Sequence, residues 1–150
     1  RPVVTSEGEK PMISINEILA SNTSSGQDPQ GDNDDWIELV NHGRRRVDLS
    51  GMFLSDDAEN PLKWRIPDGT VLEAGMFLVI WADEDGDEEG LHANFKLSKD
   101  GEVLMLVSGR TIVDKIEFEK QRTDISLGRL PNGVGTLRQL LPTPGAANRN

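Results

Sequence analysis

The 150-residue sequence predicts an all-β fold, an antiparallel sandwich or barrel of about nine or ten short strands. Three observations carry that expectation. Short apolar runs with period-2 alternation recur along the chain. Turn signals separate them every 8–12 residues or so, and no stretch with a convincing helical period intervenes. The most developed pair lies at residues 63–82, KWRIPDGTVLEAGMFLVIWA. Trp64 and Ile66 alternate with Lys63 and Arg65, as in a half-buried strand. Pro67-Asp68-Gly69 supplies a fixed φ, a side chain that bonds its own backbone and a residue tolerant of positive φ. After a second turn at Glu73-Ala74-Gly75, Met76 to Trp81 is an unbroken apolar run. It is too short for a membrane span and rich in β-formers, so it reads as a strand in the centre of the core.

The remaining elements follow in order. Residues 1–11 are polar with two prolines and read as a linker, leaving 12–148 as the domain. Ile13 to Ala20 is the first strand; its alternation slips at Glu17-Ile18-Leu19, which predicts a bulge or a helical ending. Ser21 to Asp34 is a loop by composition. Trp36 to Val40 is the second strand, closed by Asn41-His42-Gly43. Val47-Asp48-Leu49 and Met52-Phe53-Leu54 flank Ser50-Gly51, a strand bent at a glycine. Ser55 to Pro61 is an acidic turn that leads into the central pair.

Beyond Trp81 an acidic loop runs from Asp83 to Gly90, and Phe95-Lys96-Leu97 is a short strand. Ser98 to Gly101 forms a hairpin turn around an Asp-Gly pair. Glu102 to Val107 pairs with Thr111 to Phe118 across Ser108-Gly109. Ile125 to Leu130 and Thr136 to Leu141 are the last strands, and Pro142 to Asn150 is a Pro/Gly tail expected to leave the domain. Alternation places Ile37, Leu39, Ile66, Leu78, Ile80, Leu104 and Leu106 in the core.

Composition narrows the function. The net charge is -10, distributed unevenly: residues 1–95 hold 7 basic against 20 acidic side chains, residues 96–150 hold 9 against 6. Such a surface repels phosphate backbones, so no nucleic-acid partner is expected. Arg44-Arg45-Arg46, beside Gly43, is the one basic cluster and reads as a solvated turn. There is no cysteine, which excludes disulfides, thiolate catalysis and cysteine zinc sites. No hydrophobic span calls for membrane insertion. A chain beginning at Arg1 is expected to be a segment of a longer protein.

Several segments resemble the lamin tail domain. They are Ile15-Asn16-Glu17-Ile18, Asp35-Trp36-Ile37-Glu38-Leu39, Val47 to Gly51 with Leu54 to Asp57, and Trp64 to Thr70. Leu72 to Gly75, Leu91 to Ser98, Gly128 to Gly133 and Pro142-Thr143-Pro144-Gly145 continue the series. DWIEL, LSDD, LHANFKLS and PTPG are closest to the bacterial and archaeal branch. The resemblance implies an immunoglobulin-like sandwich without established catalytic residues. It also implies an extracellular or cell-surface setting in a larger protein, often beside a hydrolase or kinase-like domain. The lamin rod is missing, so filament assembly does not transfer.

The residues themselves offer few competitors. His42 and His92 are isolated in sequence and read as turn and strand-start residues. Glu17 and Glu38 could form an acid/base pair, but facing outward by alternation or bonding turn amides is the reading preferred. Trp36, Trp64 and Trp81 sit in apolar strands and read as core, with a sugar-stacking platform as the rival. The expected function is a non-catalytic module mediating protein or surface association, with no small-molecule substrate. The alternatives are a carbohydrate-binding module and an accessory domain that positions a hydrolase. One loop invites a cation: Asp83, Asp85 and Asp87, with Glu89, have the alternate spacing of calcium ligands. Its glycine lies at the fourth position and Asn94 at the twelfth, so any calcium site there would be weak.

Overall fold

The computed structural model of the chain describes residues 11–84 and 90–149. Among them are twelve strands and no helix. They are β1 (Ile13–Leu19), β2 (Asp35–Asn41), β3 (Val47–Asp48), β4 (Phe53–Ser55), β5 (Trp64–Arg65) and β6 (Val71–Leu72). Then come β7 (Phe77–Ala82), β8 (His92–Ala93), β9 (Glu102–Ser108), β10 (Thr111–Phe118), β11 (Ser126–Leu130) and β12 (Thr136–Leu140). One sheet runs β12-β11-β1-β2-β7-β8, a second β10-β9-β4-β5, and β3-β6 is a small ribbon. All pairings are antiparallel except β7–β8, which is parallel. The core packs between the two larger sheets, with Ile15, Ile18, Ile37, Leu39 and Ile80 against Leu54, Leu104, Leu106 and Ile116. This is an immunoglobulin-like β-sandwich.

The centre of the first sheet is β1–β2. Its register shifts between Ile15↔Leu39 and Glu17↔Glu38, so Asn16 is an extra residue in β1. That bulge explains the slipped alternation. With one residue added, Ile18 returns to the core side shared by Ile13 and Ile15 instead of turning away from it. The opposite side of β1–β2 carries Glu17, Trp36 and Glu38, and these too are fully buried. A strand buried on both faces needs a cover, and the chain supplies it from its own C-terminal segment.

Three expectations are corrected. The tail does not leave the domain: Thr143, Gly145 and Asn148 all bond residues of β1, β2 and β11. Their donors meet buried acceptors there, an interaction no local pattern in PTPGAANRN specifies. The Met76–Trp81 run is not central, because β7 is one strand from the edge; Met76 is exposed and only Ile80 and Ala82 are buried in the strand. Phe95-Lys96-Leu97 is not a strand. Pairing falls earlier, at His92–Ala93, and Lys96 makes a single bridge to Asp83.

Of the seven core residues expected, six are fully buried, while Leu78 is half-buried and packs against the cluster's margin. Leu78→Ala is therefore expected to cost about 1–2 kcal/mol in a urea unfolding experiment, below the 2–5 kcal/mol of a fully enclosed leucine. A loss of 4 kcal/mol or more would place Leu78 in the core proper.

Candidate functional site

Two groups of buried polar side chains stand out. The first lies on the outer side of β1–β2. Glu17 accepts from the Ser126 hydroxyl (2.6 Å), the Thr143 amide (2.9 Å) and the Thr143 hydroxyl (2.8 Å). Glu38 accepts from Asn16 Nδ2 (3.1 Å) and the Gly145 amide (2.7 Å). Asn148 Nδ2 donates to the carbonyls of Asn16 and Arg129, both at 2.9 Å. Burial, the larger cause, and the neighbouring Glu17 charge push the Glu38 carboxyl up to about 8. Burial likewise raises Glu17. These carboxylates are committed to holding the tail, and no face of either is left for a substrate.

The second group collects where β2 and β7 end. Asp35 pairs with Ala82, so Asp34 and Asp83 follow as neighbours just beyond the last rung. His92 opens β8 opposite Trp81, and its Nδ1 lies 2.5 Å from Asp83 Oδ2. The 21–34 loop bends back to bring in Asp28. That loop is pinned by Asp124, which accepts from the Thr23 and Ser24 amides and from the hydroxyls of Thr23, Ser24 and Ser25. One donor atom each from Asp28, Asp83 and His92 lies within 4.8 Å of the others, and the same holds for Asp28, Asp32 and Asp34.

The electrostatics of this group are strained. Asp28 Oδ1 accepts from the amides of Gln30 and Asp32, both at 2.9 Å. Asp28 Oδ2 and Asp34 Oδ2 are buried with no hydrogen-bond partner. Burial first, then the proximity of Asp28 and Asp83, pushes the Asp34 carboxyl up to about 7. Burial also opposes the charge on Asp28, yet Asp34, the two amides and His92 together hold it below the usual range. A set of oxygens and one imidazole crowded this closely either shares a proton or holds a cation.

The family model described as Lamin Tail Domain matches residues 7–120, more than half of the chain. The chain belongs to the lamin tail domain family. That family is one of immunoglobulin-like, non-catalytic domains. No curated protein matches the chain. The matched span stops before β11 and β12, yet in this lamin tail domain both strands extend the first sheet beyond β1. Arg129 on β11 donates to the Ile15 and Gly135 carbonyls and forks onto Asp114 of β10, joining the two sheets.

The residues singled out in the sequence fall into place around this frame. His42 lies 2.9 Å from the Ser14 hydroxyl and beside Gly133, whose φ is +75° and where a Cβ would come within 2.8 Å of the ring. Burial keeps His42 below its usual pKa. His42 bonds the Ser14 hydroxyl and His92 bonds Asp83, so the two histidines serve separate places. Trp36 is fully buried and donates to the Ser25 carbonyl, Trp64 is buried, and Trp81 is half-buried. Of the four calcium ligands expected, Asp85, Asp87 and Glu89 lie outside the described residues. Asp83 is turned inward to His92. Asp28 and Asp34 escaped sequence reasoning. Their one signal was acidic residues at 28, 32 and 34 bracketing Gly31 in what composition marks only as loop.

Proposed function

We propose that this lamin tail domain is a non-catalytic interaction module of a larger secreted or cell-surface protein, mediating protein or surface association. One observation carries the reading. The carboxylate pair best suited to acid/base chemistry, Glu17 and Glu38, is bound by the amides and hydroxyls of the domain's own chain. That pair serves cohesion, which leaves the outer surface as the part that meets a partner. Its net charge of -10 favours basic partners and disfavours phosphate backbones.

Trp81 supports one rival, since a half-buried tryptophan can present a face to a sugar ring. Binding of the fluorescently labelled chain to washed cell envelopes of its source separates the two. Saturable retention that survives excess soluble polysaccharide supports association with protein. Retention competed away by polysaccharide, with a matching shift in tryptophan emission, favours sugar binding. Turnover of an ester, phosphoester or glycoside that is lost on mutating Glu17 or Glu38 would overturn the non-catalytic reading.

A further inference from the structure

We infer that Asp28, Asp83 and His92, with Asp34 beside Asp28, form a binding site for one divalent cation of the zinc and cobalt class. The four side chains come from three separate segments: the 21–34 loop, the end of β7 and the start of β8. Asp28 is 5% exposed and His92 2%. Taking carboxylates out of water is costly unless something positive meets them. No lysine or arginine among the described residues pairs with Asp28 or Asp34.

The oxygens themselves point the same way. Asp28 Oδ1 is committed to two backbone amides, which orient the carboxylate as an outer shell would orient a ligand. That leaves Oδ2 buried with no donor, and Asp34 Oδ2 is in the same state. Asp28 therefore combines a buried, unpartnered oxygen with a carboxylate that comes within 4.8 Å of a second carboxylate and an imidazole, which is what a coordination shell looks like from the protein side. The donor set selects the ion. Calcium and magnesium take oxygen ligands, whereas one imidazole nitrogen beside carboxylates suits zinc and its neighbours in the first row. This site is distinct from a calcium loop at 83–89, with which it shares only Asp83.

The competing explanation is a proton shared between Asp28 and Asp34 with no ion at all. Chelator-treated chain titrated with cobalt, zinc and calcium decides between them. One equivalent of cobalt should develop visible d–d bands that zinc abolishes, and zinc should raise the melting temperature. Asp28→Asn should lose both effects. His92→Gln should weaken zinc by more than the roughly 10–100-fold typical of losing an outer-shell partner. Asp34→Asn guards against variants that simply fail to fold. Relief of repulsion beside Asp28 should raise the melting temperature of its metal-free form, which shows that the variant folds, while the zinc-dependent rise shrinks. The inference is overturned if zinc leaves the melting temperature unchanged and no cobalt bands form. It is equally overturned if metal binding persists undiminished in Asp28→Asn and His92→Gln, or if calcium alone binds.

Discussion

Arg129→Ala is expected to lower the unfolding free energy by about 3 kcal/mol. Arg129 Nη2 lies 3.1 Å from both carboxylate oxygens of Asp114, while Nε and Nη1 reach the carbonyls of Ile15 and Gly135. Both side chains are 17% exposed, so the pair is mostly withdrawn from water. Removing one partner of a buried pair typically costs 3–5 kcal/mol or so, because the other charge stays behind unpaired; residual exposure puts this case at the lower end. Asp114 also accepts from the Ile15 amide at 2.8 Å, so its carboxylate cannot swing out to water without breaking β1 from β10. Arg129→Lys should not restore the loss, since one ammonium cannot serve two carbonyls and a carboxylate together. Urea unfolding of Arg129→Ala, Asp114→Ala and the double variant tests this. The double variant should be more stable than additivity predicts. Strict additivity would show that the fork contributes nothing to joining the sheets.

Stability should also fall as pH rises from about 5 to 8, which reverses the usual behaviour of carboxylates. The Glu38 carboxyl has a folded pKa of about 8 against 4.5 unfolded. The folded state therefore binds its proton more tightly. The stabilisation is complete below the unfolded pKa and is lost as pH climbs through the folded one. Burial also raises Asp35 to about 6 and Glu102 to about 7, adding the same sign. His42 opposes them: its lowered pKa makes the fold lose stability as pH drops through its window. Glu17 and Asp34, also raised, add the same sign, so five carboxyls against one imidazole leave a net decline on the order of a few kcal/mol across this window. Glu38→Gln tests the cause. Its amide offers a single acceptor to the two donors at Asn16 and Gly145, so the variant should be less stable at pH 5. Its pH profile should nevertheless be flatter, and the two curves should converge towards pH 8. A variant curve parallel to the parent's would assign the slope to other groups.

Local pattern made much of this protein legible. Alternation located β1, β2, β9, β10, β11 and β12, because each alternates between a side facing the other sheet and a side facing away. It also marked the bulge in β1 as an irregularity, though not its identity as Asn16. It misjudged β7, where an unbroken apolar run signalled two buried faces while the strand actually lies beside the sheet's two-residue edge. Apolar content measures the tendency to be buried, and the neighbours decide whether burial is available.

The candidate sites were far less visible. Asp28 and Asp34 looked like ordinary polar loop residues, and Asp83 like the start of a solvated acidic loop. Their convergence with His92 depends on the loop's return path, which Asp124 fixes from a hundred residues away. Glu17 and Glu38 could be placed on the side of β1–β2 that turns from the core. That this side is itself sealed depends on Thr143, Gly145 and Asn148, the first of them 126 residues from Glu17. The sequence alone determined the longer strands, the fold family and the acidic surface, since these follow from short-range alternation, turn chemistry and composition. Only the tertiary structure decided which polar groups are buried and with whom, because a hydrogen bond or an ion shell joins atoms by their distance in space.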